Sequence, residues 1–138
     1  MQFYNTMKRK KEKFIPLIPG KVSLYTCGPT VYDFSHIGNL RAFLFEDILR
    51  RFLEFLDLEV LHVMNITDID DKTIHKSQEE SRSLIDFTNE YTDAFFEDLK
   101  ILNIRPAHYY PRATEFVSQM IDTIKILESK GFTYKTED

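Results

Sequence analysis

The sequence is short of several things: its 138 residues include one cysteine, four glycines and no tryptophan. A single cysteine closes no internal disulfide, which fits a reducing compartment rather than a stapled secreted domain. No apolar run approaches the roughly 20 residues that span a bilayer. The opening Met-Gln-Phe-Tyr-Asn-Thr has no signal-peptide core either, so a cytoplasmic protein with no membrane partner is expected. Net positive charge is lacking as well. A net charge of −4 excludes indiscriminate polyanion binding, and any nucleic-acid partner must meet a local basic surface. The one such concentration, Lys8 to Lys13, reads as part of a solvated N-terminal arm over residues 1–20, closed by Pro16, Pro19 and Gly20. Neither repeats nor low-complexity segments interrupt the rest.

What is present is an ordinary core-forming composition, 43% hydrophobic and 14% aromatic, enough for one domain or part of a larger one. Val22 to Thr26 reads as a short buried strand. From Ile37, apolar residues at Leu40, Leu44, Ile48, Phe52 and Leu56 recur at helical spacing, widened by Phe45, Leu49 and Leu53. Asp47, Arg50 and Arg51 fall mostly away from that stripe. Ser35 is the expected N-cap. Glu59 to Ile66 is a nearly continuous apolar strand, as expected of one covered on both faces. A short helix follows, with Asp68 or Asp70 at its positive end, then a helix from Leu84 to Leu102. The proline-bounded segment from Arg105 to Pro111 holds a short strand at most. A last helix carries Phe116, Met120, Ile124 and Leu127 and stops at Gly131. This order predicts an α/β unit with a short parallel sheet flanked by helices.

Residues 27–39, CGPTVYDFSHIGN, hold the lone cysteine and two of the four glycines. A loop between a first strand and a first helix lies at the carboxyl end of a parallel sheet, where such sheets bind ligands. The helix N-terminus offers unpaired N–H groups to an anion. Gly28 and Gly38 allow close backbone approach, and His36 and Asn39 add donors for a phosphoryl oxygen. Neither G-x-G-x-x-G nor G-x-x-x-x-G-K-[ST] occurs, which argues against a dinucleotide fold and a P-loop. The run from Asp68 to Glu79 fails as a calcium loop. Lys72 occupies a ligand position there, and Thr73 replaces the required glycine. His62, His75 and His108 share no metal spacing with Cys27 and read as structural or surface residues.

His36-Ile37-Gly38-Asn39 resembles the HIGH signature of class I aminoacyl-tRNA synthetases. The string from Tyr25 to Asp33, followed by Asn65-Ile-Thr-Asp-Ile-Asp-Asp-Lys72, Leu102 to Pro106 and Pro111 to Thr114, resembles the cysteinyl-tRNA synthetase family in particular. The likeness covers essentially the whole chain and implies a Rossmann-like catalytic domain. Residues 1–138 would form its N-terminal half and end near the family's connective insertion.

The resemblance also implies an activity: cysteine joined to ATP as an adenylate, with Mg²⁺, then passed to the 3′ end of tRNA(Cys) by a monomeric parent. Catalytic roles fall on His36 and Asn39. ATP would be held by Pro29, Thr30, His36, Gly38 and Asn39, and the amino acid by Cys27, Gly28 and Thr67. Asn39 stands where the signature has a second histidine. Cys27 would be one of four ligands to a zinc ion that takes the substrate thiol. The other three ligands, the KMSKS loop and the anticodon-binding region are expected beyond residue 138, so the piece alone should be inactive. Two alternatives stay open: a ligase joining cysteine to a sugar amine, as in the mycothiol pathway, and a truncated, non-catalytic nucleotide-binding copy.

Overall fold

The computed structural model describes residues 1–136. The N-terminal arm is largely exposed, as expected, but it is folded. Strands β1 (Gln2–Asn5) and β2 (Lys10–Lys13) pair antiparallel, with Phe3 opposite Glu12 and Tyr4 opposite Lys11. The Asn5 side chain explains the turn between them: its Oδ1 accepts from the amides of Met7 and Lys8, and its Nδ2 donates to Glu12. Phe3 then stacks edge-on against Phe14, with ring centroids 5.3 Å apart. A charge count alone does not reveal that local pairing.

The central motif is the expected one. Strand β3 (Lys21–Thr26) leads into helix α1 (Ile37–Phe55), which returns the chain to β4 (Glu59–Met64), parallel to β3. Val22, Leu24 and Thr26 stand opposite Val60, His62 and Met64 on the covered face. Tyr25 and Leu61 lie on the other face and stay exposed, so β4 is covered on one side, contrary to expectation. Beyond β4, the segment from His108 to Ala113 runs parallel to it through two bridges, Val63–Tyr109 and Ile66–Arg112. Pro111, which has no N–H, limits that edge to bridges rather than a strand.

Helix α2 (Asp71–Glu79) is capped by Asp70, whose carboxylate accepts from the Lys72 amide at 2.8 Å. Asp68 does something else. Buried, it accepts from the Thr114 amide at 2.9 Å and the Thr114 hydroxyl at 2.6 Å. Helices α3 (Leu84–Ile101) and α4 (Val117–Ser129) follow, the latter behind a short 3₁₀ turn, Ala113–Phe116. Gly131, at φ 72°, supplies the left-handed residue that ends α4. The main core gathers Val31, Phe43, Met64, Ile66, Phe95 and Leu99, with Phe43 and Phe95 edge-to-face at 5.2 Å. Each fully buried apolar side chain there contributes about 1.5–3 kcal/mol. No helix among the described residues is long and apolar enough to cross a membrane.

The buried face of α1 corrects the periodicity reading. Its buried residues are Phe43, Asp47, Arg50 and Leu53, whereas Phe45, Ile48 and Phe52 stay exposed. Asp47 accepts from Arg51 Nε at 2.6 Å and from the Arg105 amide at 3.0 Å. Arg50 donates to Glu54 at 2.8 Å and to the Pro106 carbonyl at 2.7 Å. These bonds replace water for charges that would otherwise be costly to bury.

His62 is buried beneath α1, its Nε2 2.9 Å from the Thr26 hydroxyl and its Nδ1 without a partner among the described residues. Burial, aided by Arg50 and His108, pushes its pKa below the ordinary 6.5. The folded chain therefore refuses a proton that the unfolded chain accepts, and stability drains as the pH falls below 6.5. Glu46 works in the opposite direction, since burial raises its pKa above 4.5 and its contribution is lost as pH rises. Comparing His62→Gln with wild type isolates the histidine. Thermal unfolding across pH should show the wild-type midpoint falling relative to the variant on acidification from pH 6.5. Parallel pH curves would refute this.

Candidate functional site

The loops leaving β3 and β4 meet at the carboxyl end of the parallel pair. The Thr67 amide donates to the Pro29 carbonyl at 2.9 Å, and the Val31 amide donates to the Thr67 carbonyl at 3.1 Å. Thr30 and Thr67 form an isolated parallel bridge. So close a meeting requires glycine at position 28, because a Cβ there would lie 1.8 Å from the Asn65 carbonyl oxygen. The Gly28 amide is in turn taken by Asn65 Oδ1 at 3.1 Å.

Helix α1 opens on a reciprocal cap. His36 itself is the N-cap, not Ser35: its Nδ1 accepts from the Gly38 amide at 3.0 Å, and Asn39 Oδ1 accepts from the His36 amide at 3.3 Å. Gly38 is required by the ring, since a Cβ there would approach the imidazole to 2.7 Å. The cap shifts the source of donors. The Gly38 amide is consumed, so the side chains become the groups on offer. A neutral imidazole accepting at Nδ1 carries its proton on Nε2, and an amide accepting at Oδ1 keeps both N–H donors. No acidic residue occupies the first turn of α1.

These pieces enclose an open cavity of ≈ 420 Å³. Six of the sequence-predicted residues line it: Cys27, Gly28, Pro29, Thr30, His36 and Asn39. Gly38 and Thr67 do not. Gly38 packs against the His36 ring, and Thr67 is bridged to Thr30, which does line the cavity. Cys27 is exposed. Sequence reasoning missed Tyr32, Phe43 and above all Lys72, the one lysine or arginine of the lining, whose ammonium lies 5.1 Å from the Tyr32 ring centre. Its signal was masked by the acidic run around it. Asp33, the one lining carboxylate, pairs with Lys76 at 3.1 Å. That contact lowers the Asp33 pKa and raises that of Lys76. The arrangement suits an anion.

A metal fits less well. Cys27 supplies one thiol, and no group of three or more His, Cys, Asp or Glu side chains gathers among the described residues. A tetrahedral zinc site needs three further donors.

Comparison with known proteins follows the same lines. The family described as tRNA synthetases class I (C) catalytic domain matches residues 13–138. Three similar relatives are the proteins named cysteine–tRNA ligase from Leptospira interrogans serogroup Icterohaemorrhagiae serovar Lai, Chlamydia pneumoniae and Protochlamydia amoebophila. They are 51%, 51% and 48% identical over 138 residues, all of this chain. The chain spans 29% of the length of each.

The two glycines differ in what they meet, which gives a ranked test. Gly28→Ala forces backbone from backbone and should cost about 3 kcal/mol, the upper end of the usual range for one substitution. Gly38→Ala displaces only a side-chain cap, worth about 1 kcal/mol. Denaturant unfolding of the two variants would refute the loop geometry if their losses were equal.

Proposed function

The chain belongs to the family of class I (C) tRNA synthetase catalytic domains, and we propose that it forms the nucleotide- and amino-acid-binding part of a cysteine–tRNA ligase. The observation that carries the reading is the cavity at the carboxyl end of β3. Its lining brings Cys27, His36, Asn39 and Lys72 together beside a helix start free of acid. Identity near 50% to cysteine–tRNA ligases along the whole chain supports it.

In this reading the cysteine carboxylate attacks the α-phosphorus of ATP. A phosphorus–oxygen bond forms, the bond to the bridging oxygen breaks, and pyrophosphate leaves. The terminal tRNA hydroxyl then attacks the acyl carbon of the adenylate, and AMP departs. The nucleophile of each step belongs to a substrate, so the chain's residues position the reactants and neutralise charge. His36 Nε2–H and the Asn39 amide donate to phosphoryl oxygens whose negative charge grows in the transition state. Pro29, Thr30 and Gly38 shape the nucleotide's seat, with Gly38 admitting the His36 ring. Lys72 supplies a positive charge in the same lining. Mg²⁺ would accompany the nucleotide's phosphates, with no carboxylate assigned to it.

Cys27 and Gly28 line the amino-acid end, and Thr67 is assigned to it from just outside the lining, linked to Gly28 through Asn65. The thiol of Cys27 is one donor of the kind a zinc ion takes. The described residues do not complete such a centre, so no step is routed through it.

The test is ATP–pyrophosphate exchange by the full-length protein. Cysteine should drive exchange and serine should not; equal exchange with both would overturn the substrate assignment. His36→Ala should lower the exchange rate by about one to two orders of magnitude, the scale of one lost transition-state donor. An unchanged rate would remove His36 from the chemistry.

A further inference from the structure

We propose that Asn65 is the positioning residue for the amino-acid end of the cavity, holding the Cys27–Gly28 peptide and the Thr67 hydroxyl in one fixed relation. What those two residues contact rests on the ligase reading above, whereas the clamp itself rests on geometry alone. Asn65 follows the last residue of β4 and is not among the residues lining the cavity, so it acts through its neighbours. Its Oδ1 accepts from the Gly28 amide at 3.1 Å and from the Tyr25 hydroxyl at 3.0 Å, and its Nδ2 donates to Thr67 Oγ1 at 2.9 Å. The orientation of the amide is not free. A backbone N–H can only donate, so the oxygen must face Gly28 and the NH₂ must face Thr67.

Asn65 holds Gly28 twice. Its side chain takes the Gly28 N–H, and its own carbonyl oxygen occupies the space where a Gly28 Cβ would stand. Cys27 is bonded directly to Gly28, so the Cα that carries the thiol cannot drift along the strand axis without breaking this grip. On the other side, the Thr67 oxygen is already accepting from Asn65. Its own proton is therefore left to donate elsewhere. One side chain thus sets both the place of a sulfur and the polarity of a hydroxyl. Tyr25, on the exposed face of β3, braces the same oxygen from outside.

Asn65→Ala removes all these bonds, and Asn65→Asp keeps the acceptor for Gly28 while removing the NH₂ donor. Two readouts separate positioning from mere stability. In the full-length protein, amide hydrogen exchange at Gly28 should quicken about tenfold in Asn65→Ala, the scale of one lost hydrogen bond. The amides paired within β3 and β4 should be unaffected, and Asn65→Asp should exchange like wild type at Gly28. In the full-length protein, the KM for cysteine should rise about tenfold in Asn65→Ala, with the KM for ATP unchanged and Asn65→Asp between the two. Unchanged Gly28 exchange, or a rise in both KM values together, would overturn the proposal. A wild-type protein that shows no cysteine-dependent exchange would defeat the activity reading alone, and the Gly28 measurement would still decide whether Asn65 is the clamp.

Discussion

The bond from the Thr67 amide to the Pro29 carbonyl, 2.9 Å long, joins two loops that would otherwise part. Parallel strands release their chains at the same end, and one of those chains must turn away to begin a helix. Here the pairing continues past the strands for a few residues, through Pro29, Val31 and Thr67. Pro29 has no N–H, so its carbonyl is the only polar group its backbone offers, and it is used. Gly28 has no Cβ, so the two backbones can come close enough for that use. The cavity exists because this stitch ends at Val31, after which residues 32–36 swing out to the start of α1.

The placement of α1 has a second support, and it is polar. Asp47 and Arg50 lie on its buried face and are held by Arg51, Glu54 and the backbone of Arg105 and Pro106. Buried charge pairs of this kind add little net stability over apolar packing, but removing one partner is costly. Their effect is therefore on alignment. Two charged residues with fixed backbone partners permit one rotation of the helix about its axis, whereas a broad greasy stripe permits several. That rotation presents His36 and Asn39 to the cavity.

Much of the site was legible in the sequence because its elements are local. A strand, a glycine-punctuated turn and an amphipathic helix follow one another within residues 22–55, and six of the eight predicted site residues line one cavity. What escaped was nonlocal or ambiguous. The hairpin at the N-terminus depends on Asn5 closing a turn inside a charge run. The buried face of α1 could not be chosen from periodicity, since apolar residues ring most of the helix and the backbone partners of Asp47 and Arg50 lie more than 50 residues away. Ser35 is the residue type expected at the cap, but the adjacent His36 takes it because its imidazole reaches the Gly38 amide. Lys72 escaped because an acidic run hides a lysine whose ring partner is 40 residues earlier.

The three helices with side-chain caps make the electrostatic case sharper than the cavity's shape does. Helices α2 and α3 each place an aspartate in the first turn, Asp71 and Asp86, where it offsets the positive end of the helix dipole. Helix α1, the longest at 19 residues, places none, and its cap is made by an imidazole and an amide that carry no negative charge. The chain has 22 Asp and Glu residues, yet the first turns of α1 and α4 both lack acid, and of these two only α1 opens onto the cavity. An aspartate there would satisfy the dipole permanently and repel any incoming phosphate. With His36 and Asn39 instead, the helix end is capped well enough to fold, yet no carboxylate in its first turn offsets its positive potential, and Lys72 in the same cavity lining adds to it.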